Sequence, residues 1–75
     1  MKDQGTKLWT LVKDHREVAA QVRLVPYGIE VDILHDGQAV ITRTFDSDAE
    51  ALAWADQKRM ARASDGWVPA RESTE

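Results

Sequence analysis

The stretch of sequence that decides the fold is residues 17–34, EVAAQVRLVPYGIEVDIL. Its second half alternates between apolar and acidic residues, and a Pro–Tyr–Gly sequence separates the two halves. Alternation with a period of two predicts a β-strand, and proline followed closely by glycine is typical of a turn. Folding the chain back at this turn sets Val22 against Val31 and Arg23 against Glu30. Because apolar pairs and opposite charges fall into place together, we predict an antiparallel hairpin with this register. Its strands are residues 17–25 and residues 29–34.

A further strand, residues 7–13 (KLWTLVK), precedes this hairpin. Residues 14–16 (DHR) separate the two, which predicts a three-residue hairpin loop. A loop of this length sets Val12 opposite Val18. Facing residues of an antiparallel pair share a face, so we expect Val12 on the inner face, beneath a covering layer.

The fourth strand, residues 38–45, follows a turn at residues 35–37 (HDG). Asp-Gly strongly indicates a hairpin. We expect a three-residue loop, because it keeps Ile41 and Phe45 on the inner face; it leaves Arg43 there as well. A two-residue Asp-Gly loop is the alternative, and it shifts the pairing by one residue.

One helix follows the strands. Ser47 and Glu50 are spaced as a capping box, and the alanine-rich sequence after them favours a helix. Gly66 suits a left-handed residue just beyond the helix end. We predict a helix over residues 47–63 whose sheet-facing stripe consists of Ala49, Leu52, Ala53, Met60 and Ala63.

These elements predict an α+β fold, a four-stranded antiparallel β-meander followed by one C-terminal α-helix packed on one sheet face (ββββα). We expect one domain over residues 7–67, with a disordered N-terminus (1–6) and a polar C-terminal tail (68–75). A domain of 75 residues buries only about 60% of its unfolded surface, so disulfides, a metal or a partner subunit commonly support such chains. The chain has no cysteine and two histidines. We therefore predict a homodimer.

Composition limits the classes of function. The formal net charge of -3 gives no general attraction to nucleic acid, which is bound mainly through lysine and arginine. No apolar run approaches the roughly 20 residues of a membrane span, and the first residues lack the apolar segment of a signal peptide. We expect a cytoplasmic protein that does not contact membranes.

No residues are spaced as a catalytic, cofactor or metal site. His15 and His35 lie in predicted turns, with no motif-linked nucleophile. Asp48 and Glu50 are explained by helix capping. Lysine and arginine near the helix end complement the helix dipole in the same way. We therefore predict a non-enzymatic binding or interaction module without cofactor or metal.

Apolar residues on the predicted outer face are the main route to function. With one helix covering the inner face, the outer face still carries large apolar side chains, and exposed apolar clusters commonly mark interfaces. We expect self-association through this patch, with an unidentified protein partner or a ligand left open. The candidate interface residues are Trp9, Leu11, Leu34 and Val40 on this face, and Trp54, which falls on the helix side opposite the Leu52–Met60 stripe.

Turn sequences at 27–28 (YG) and 36–37 (DG), with an alanine-rich helix closed by 66–67 (GW), make a recognisable pattern. The pattern resembles small uncharacterised bacterial proteins built as a meander plus a helix. This resemblance implies a fold and no activity.

The strand and helix order is also similar to whirly-type and coactivator-type single-stranded-DNA-binding domains, which use basic sheets bearing aromatic residues. That similarity implies an alternative function, a nucleic-acid-binding regulatory protein for single-stranded DNA or RNA. We rank it second because Glu30 and Asp32 intervene and the net charge is negative. The candidate contacts on this alternative are Trp9, Lys13, Arg23 and Arg43.

Overall fold

The computed structural model describes residues 5–70, which form an antiparallel sheet and one helix that packs on it. The strand order is β4-β3-β2-β1-β5. The predicted α+β meander with a C-terminal helix is confirmed. We call the sheet face that contacts the helix the inner face, and the opposite face the outer face. The elements are β1 (Thr6–Lys13), β2 (Arg16–Val25), β3 (Gly28–His35), β4 (Gln38–Phe45), α1 (Asp48–Ser64) and β5 (Val68–Pro69).

The central hairpin has the register that the sequence predicts. Val22 pairs with Val31, and Arg23 pairs with Glu30. Val18, Val31 and Ile33 are the largest side chains with almost no exposure, so this hairpin supplies the middle of the core.

The predicted β1–β2 register is wrong by one residue. Lys13 pairs with Arg16, so the turn has two residues, Asp14 and His15, both with positive φ (50° and 66°). Positive φ at both central positions is the type I′ geometry that matches strand twist, although neither residue is the usual asparagine or glycine. The shift moves Trp9, Leu11 and Val12 to the face opposite to the predicted one, whereas Leu8 still packs against the core. Leu11 pairs with Val18 and is buried in the core.

This register also relocates the rest of β1. Trp9 lies on the inner face opposite Ala20, and Val12 lies on the outer face opposite Glu17. The ladder shifts between Lys7 and Trp9, which leaves Leu8 without a cross-strand partner. The prediction that Trp9 and Leu11 face outward is therefore wrong.

The β3–β4 turn is the two-residue alternative. His35 pairs with Gln38, and Asp36 and Gly37 have positive φ (52° and 85°). A bulge follows: Leu34 pairs with Ala39, but Ile33 already pairs with Ile41, so Val40 is the extra residue. The predicted three-residue loop is wrong. The predicted inner-face positions of Ile41, Arg43 and Phe45 are right, because the shorter loop and the bulge each shift the pairing by one residue and two such shifts restore the face.

The helix begins and ends as its sequence indicates. The Ser47 hydroxyl accepts a hydrogen bond from the Glu50 backbone N–H at 3.2 Å. At the other end Gly66 has φ 98°, and the Trp67 N–H bonds the Arg62 carbonyl at 3.1 Å. This is a Schellman ending, and it directs Trp67 back against the core.

The predicted sheet-facing stripe of the helix is wrong. Ala51 and Ala55 are the buried helix residues, whereas Leu52 and Met60 are each 50% exposed. Large inner-face side chains such as Trp9 leave room only for alanine between helix and sheet. The Trp9 indole Nε1 donates to the Ala55 carbonyl at 3.1 Å, which fixes the helix against β1.

The ordered chain continues past Trp67. Val68 pairs with Val12 and Pro69 with Leu11, and the Ala70 N–H bonds the Thr10 carbonyl at 2.9 Å. The predicted tail (68–75) thus begins with a short strand, and its residues 71–75 lie outside the described residues, as do residues 1–4. Within residues 5–70, no helix has the length and apolarity needed to span a membrane.

Candidate interaction surface

The two edges of the sheet differ in how much of the backbone is covered. β5 pairs with β1 at Leu11 and Val12. β4 pairs only with β3 within the described residues, and seven of its eight residues are exposed. One whole side of β4 therefore presents unpaired N–H and C=O groups. We call this side of Gln38–Phe45 the β4 edge.

The residues of the β4 edge offer little protection against strand pairing. Its sequence, QAVITRTF, has no proline and one charged residue, Arg43. Val40 is 57% exposed and Ile41 40% exposed. Natural sheets guard an open edge with charges, proline, bulges or a covering segment. Only the bulge at Val40 and the single arginine do so here.

A cation cluster, Arg43 and Lys58 around the Trp54 ring, lies beside the β4 edge on the inner face. The Arg43 guanidinium carbon is 5.9 Å from the Trp54 ring centre, and the Lys58 ammonium is 5.2 Å from it. The ring also packs against Phe45, with centroids 5.5 Å apart. Arg43 and Lys58 form no ion pair with any carboxylate in the described part of the chain. The cluster is therefore a local excess of positive charge.

Charges on the outer face neutralise one another. Arg23 bonds Glu30 at 2.6 Å and lies 3.2 Å from Asp32. The Thr42 hydroxyl donates to Asp32 at 2.8 Å. Asp32 is 3% exposed although no helix covers this face, because these neighbours enclose it. The network ties β2, β3 and β4 together and leaves the outer face without a free charged group at its centre.

An open groove of about 410 Å³ lies near the beginning of the helix. Val22, Leu24 and Ile29 form its apolar wall, and Asp48 from the first helical turn is at its rim. Arg23 also lines it, but its guanidinium is committed to the outer-face carboxylates. The groove therefore combines an apolar wall with three polar side chains, those of Thr6, Arg23 and Asp48.

The structure separates the predicted interface residues. Trp9 and Leu11 belong to the inner face and core. Trp54, predicted on the far side of the helix, instead packs against Phe45. Leu34 lies on the outer face opposite Ala39. Val40 alone is strongly exposed, and it lies on the β4 edge.

The candidate nucleic-acid contacts do not form one surface either. Lys13 donates to the Asp65 carbonyl at 2.6 Å on the inner side, and Arg23 is on the outer face. All five aromatic residues of the chain lie on the inner face, on the helix side or in turns. The open outer face thus lacks the stacking platform that single-stranded nucleic acid uses.

Candidate catalytic and metal-binding residues also stay apart. Within residues 5–70, no three His, Cys, Asp or Glu side chains are grouped to hold a metal ion. His35 contacts the Trp67 ring edge-on, 6.1 Å between centroids. His15 is an exposed turn residue. The His35 Nδ1 lies 3.6 Å from the Asp36 carboxylate, which also accepts hydrogen bonds from Arg16 and the Glu17 backbone N–H. No third group completes a catalytic constellation with this pair in the described residues.

Sequence reasoning missed both the β4 edge and the cation cluster. The signal for the edge was available, since the last strand of a meander ends a sheet unless something pairs with it. The cluster depends on the helix rotation, which the misplaced Leu52–Met60 stripe obscured.

No protein-family model matches this chain, and neither a curated protein nor a solved structure matches it.

Proposed function

We propose that this chain is a small non-enzymatic interaction module that self-associates by pairing two β4 edges. The observation that carries this proposal is the eight-residue β4 edge, exposed along its length and nearly free of charge. A strand edge of this kind is a template for another strand.

A second copy is the partner that the edge fits best. Two identical strands can pair antiparallel about a two-fold axis, and closed two-fold dimers are the commonest oligomers. Each copy then covers Val40 and Ile41 of the other. An axis perpendicular to the sheet keeps both helices on one side, so the two sheets become continuous. The interface replaces the outer-face patch that the sequence predicts.

The expected affinity is modest. Full overlap of two such strands makes about eight inter-strand hydrogen bonds, each worth about 1 kcal/mol net. Burial of Val40 and Ile41 adds to this, while association costs at least about 4 kcal/mol. We therefore expect a dissociation constant in the micromolar range.

Sedimentation velocity of two valine variants tests which edge associates. Val40 and Val68 are 57% and 53% exposed, and they lie on opposite edges of the sheet. We expect the wild-type chain to dimerise, Val40→Lys to be monomeric and Val68→Lys to dimerise as wild type does. An edge lysine opposes strand pairing without disturbing the core.

Two outcomes would overturn this proposal. One is a wild-type chain that sediments as an 8.5 kDa monomer at high micromolar concentration. The other is a dimer that Val68→Lys disrupts and Val40→Lys leaves intact, which would assign the interface to the β5 edge.

A further inference from the structure

The cation cluster stands directly beside the proposed interface. Arg43 belongs to β4 itself, and Lys58 reaches the same Trp54 ring from the helix. Three other arginines of the described chain have carboxylate partners: Arg16 with Asp36, Arg23 with Glu30 and Arg59 with Asp56. Arg62 contacts the Trp67 ring at the far end of the helix. Arg43 and Lys58 have only ring contacts, so their charge is available to a ligand.

Antiparallel pairing of two β4 edges brings two such clusters together. Paired strands share faces, so Arg43 of each copy lies on the helix side of the continuous sheet. With the two-fold axis near the middle of β4, strand spacing and rise put the two Arg43 Cα atoms about 8–14 Å apart. We call the line along which the two β4 strands pair the seam. One helix from each copy borders the seam, and each helix contributes Lys58. The seam is therefore a cleft with four cations and no carboxylate partner for them.

We propose, resting on the β4-paired dimer, that this seam binds a small polyvalent phosphoryl anion between Arg43 and Lys58 of both copies. Neither copy holds the site alone. The four cations repel one another in the empty dimer, and a polyvalent anion turns this repulsion into attraction. The guanidinium of Arg43 offers paired donors to phosphoryl oxygens, and Lys58 offers a compact charge.

The shape of the cluster favours a small anion over a polynucleotide. The Trp54 ring is already contacted by Phe45, Arg43 and Lys58, so it is not a free stacking surface. Strand-tracking nucleic-acid sites need an exposed aromatic row in addition to cations. The seam has cations without that row.

The test is the dimer dissociation constant of the full chain, measured by sedimentation in chloride buffer with and without millimolar pyrophosphate at matched ionic strength. We expect pyrophosphate to tighten the wild-type dimer about tenfold or more, the size of one charge-assisted hydrogen bond. Arg43→Gln should still dimerise, should dimerise more tightly than wild type in chloride alone, and should lose the pyrophosphate effect. Arg59→Gln is the matched control and should keep it, because the Asp56 carboxylate already neutralises Arg59.

The outcomes separate this inference from the proposed function. A wild-type dimer that is indifferent to pyrophosphate overturns the anion site and leaves the β4 dimer standing. A wild-type monomer in every buffer overturns both. A dimer tightened by a thymidine oligonucleotide but not by pyrophosphate also overturns the small-anion site, in favour of nucleic acid.

Discussion

Asp36 joins two neighbouring turns at the end of the sheet. Its carboxylate accepts the Glu17 backbone N–H at 2.9 Å and the Arg16 Nε–H at 3.2 Å. Its own N–H donates to the Glu17 carbonyl at 2.8 Å. The bond from the Glu17 backbone, followed by Arg16, lowers the pKa of Asp36 below its ordinary value. Ionised Asp36 therefore helps to hold both two-residue turns.

This lowered pKa gives stability a pH dependence. A group whose pKa is depressed on folding stabilises the protein above its unfolded value, near pH 4, and this stabilisation is lost as pH falls through the folded value. Asp36→Asn should keep the turn, because asparagine also tolerates positive φ, but it should flatten the acid limb of stability. Urea unfolding between pH 3 and 7 measures this. Parallel curves for wild type and variant would show that Asp36 carries no such linkage.

The turns, more than the strands, determine which residues pair across the sheet. The β2–β3 register follows from the sequence because Val22–Val31 and Arg23–Glu30 agree on one pairing. The β1–β2 register does not, because its turn, Asp14-His15, lacks glycine although both residues have positive φ. Shortening that loop by one residue changes which face of β1 points inward, and it moves Trp9 to the inner face.

The turns also explain how much of the candidate site can be predicted from the sequence. Apolar periodicity predicts the strands, the capping box predicts the start of the helix, and Asp-Gly predicts the last hairpin. Together these signals predict the fold class. The bulge at Val40 leaves no signal in composition, since it is a local choice between two pairings. The helix rotation depends on which β1 face carries Trp9, so an error in one turn propagated to the helix and to the candidate interface.

The β1–β2 turn offers a direct test of this register. His15 has φ 66°, which a residue with a Cβ adopts at a cost, whereas glycine adopts it freely. We expect His15→Gly to raise the free energy of unfolding by about 0.5–1 kcal/mol and His15→Val to lower it. Thermal or urea unfolding at neutral pH compares the pair. Destabilisation by glycine, with valine tolerated, would contradict the type I′ turn.

At the scale of the whole molecule, the outer face needs no second layer. Ala19 and Asp32 are 4% and 3% exposed there, because the Arg23 network and neighbouring side chains enclose them. The helix and the tryptophans cover the inner face except at the groove, where Leu24 is 74% exposed. The β4 edge, with the cation cluster beside it, is the open border of the sheet. The proposed self-association therefore belongs to this border of the sheet.

Amide hydrogen exchange of β4 as a function of protein concentration tests whether two β4 edges pair. In the proposed dimer, the amides of Gln38–Phe45 that point away from β3 become hydrogen-bonded to the second copy. We expect their exchange to slow as the chain is concentrated from low to high micromolar, while the Ala70 amide, bonded to Thr10 within one copy, stays unchanged. Exchange of these β4 amides that is equally fast at every concentration would contradict the account.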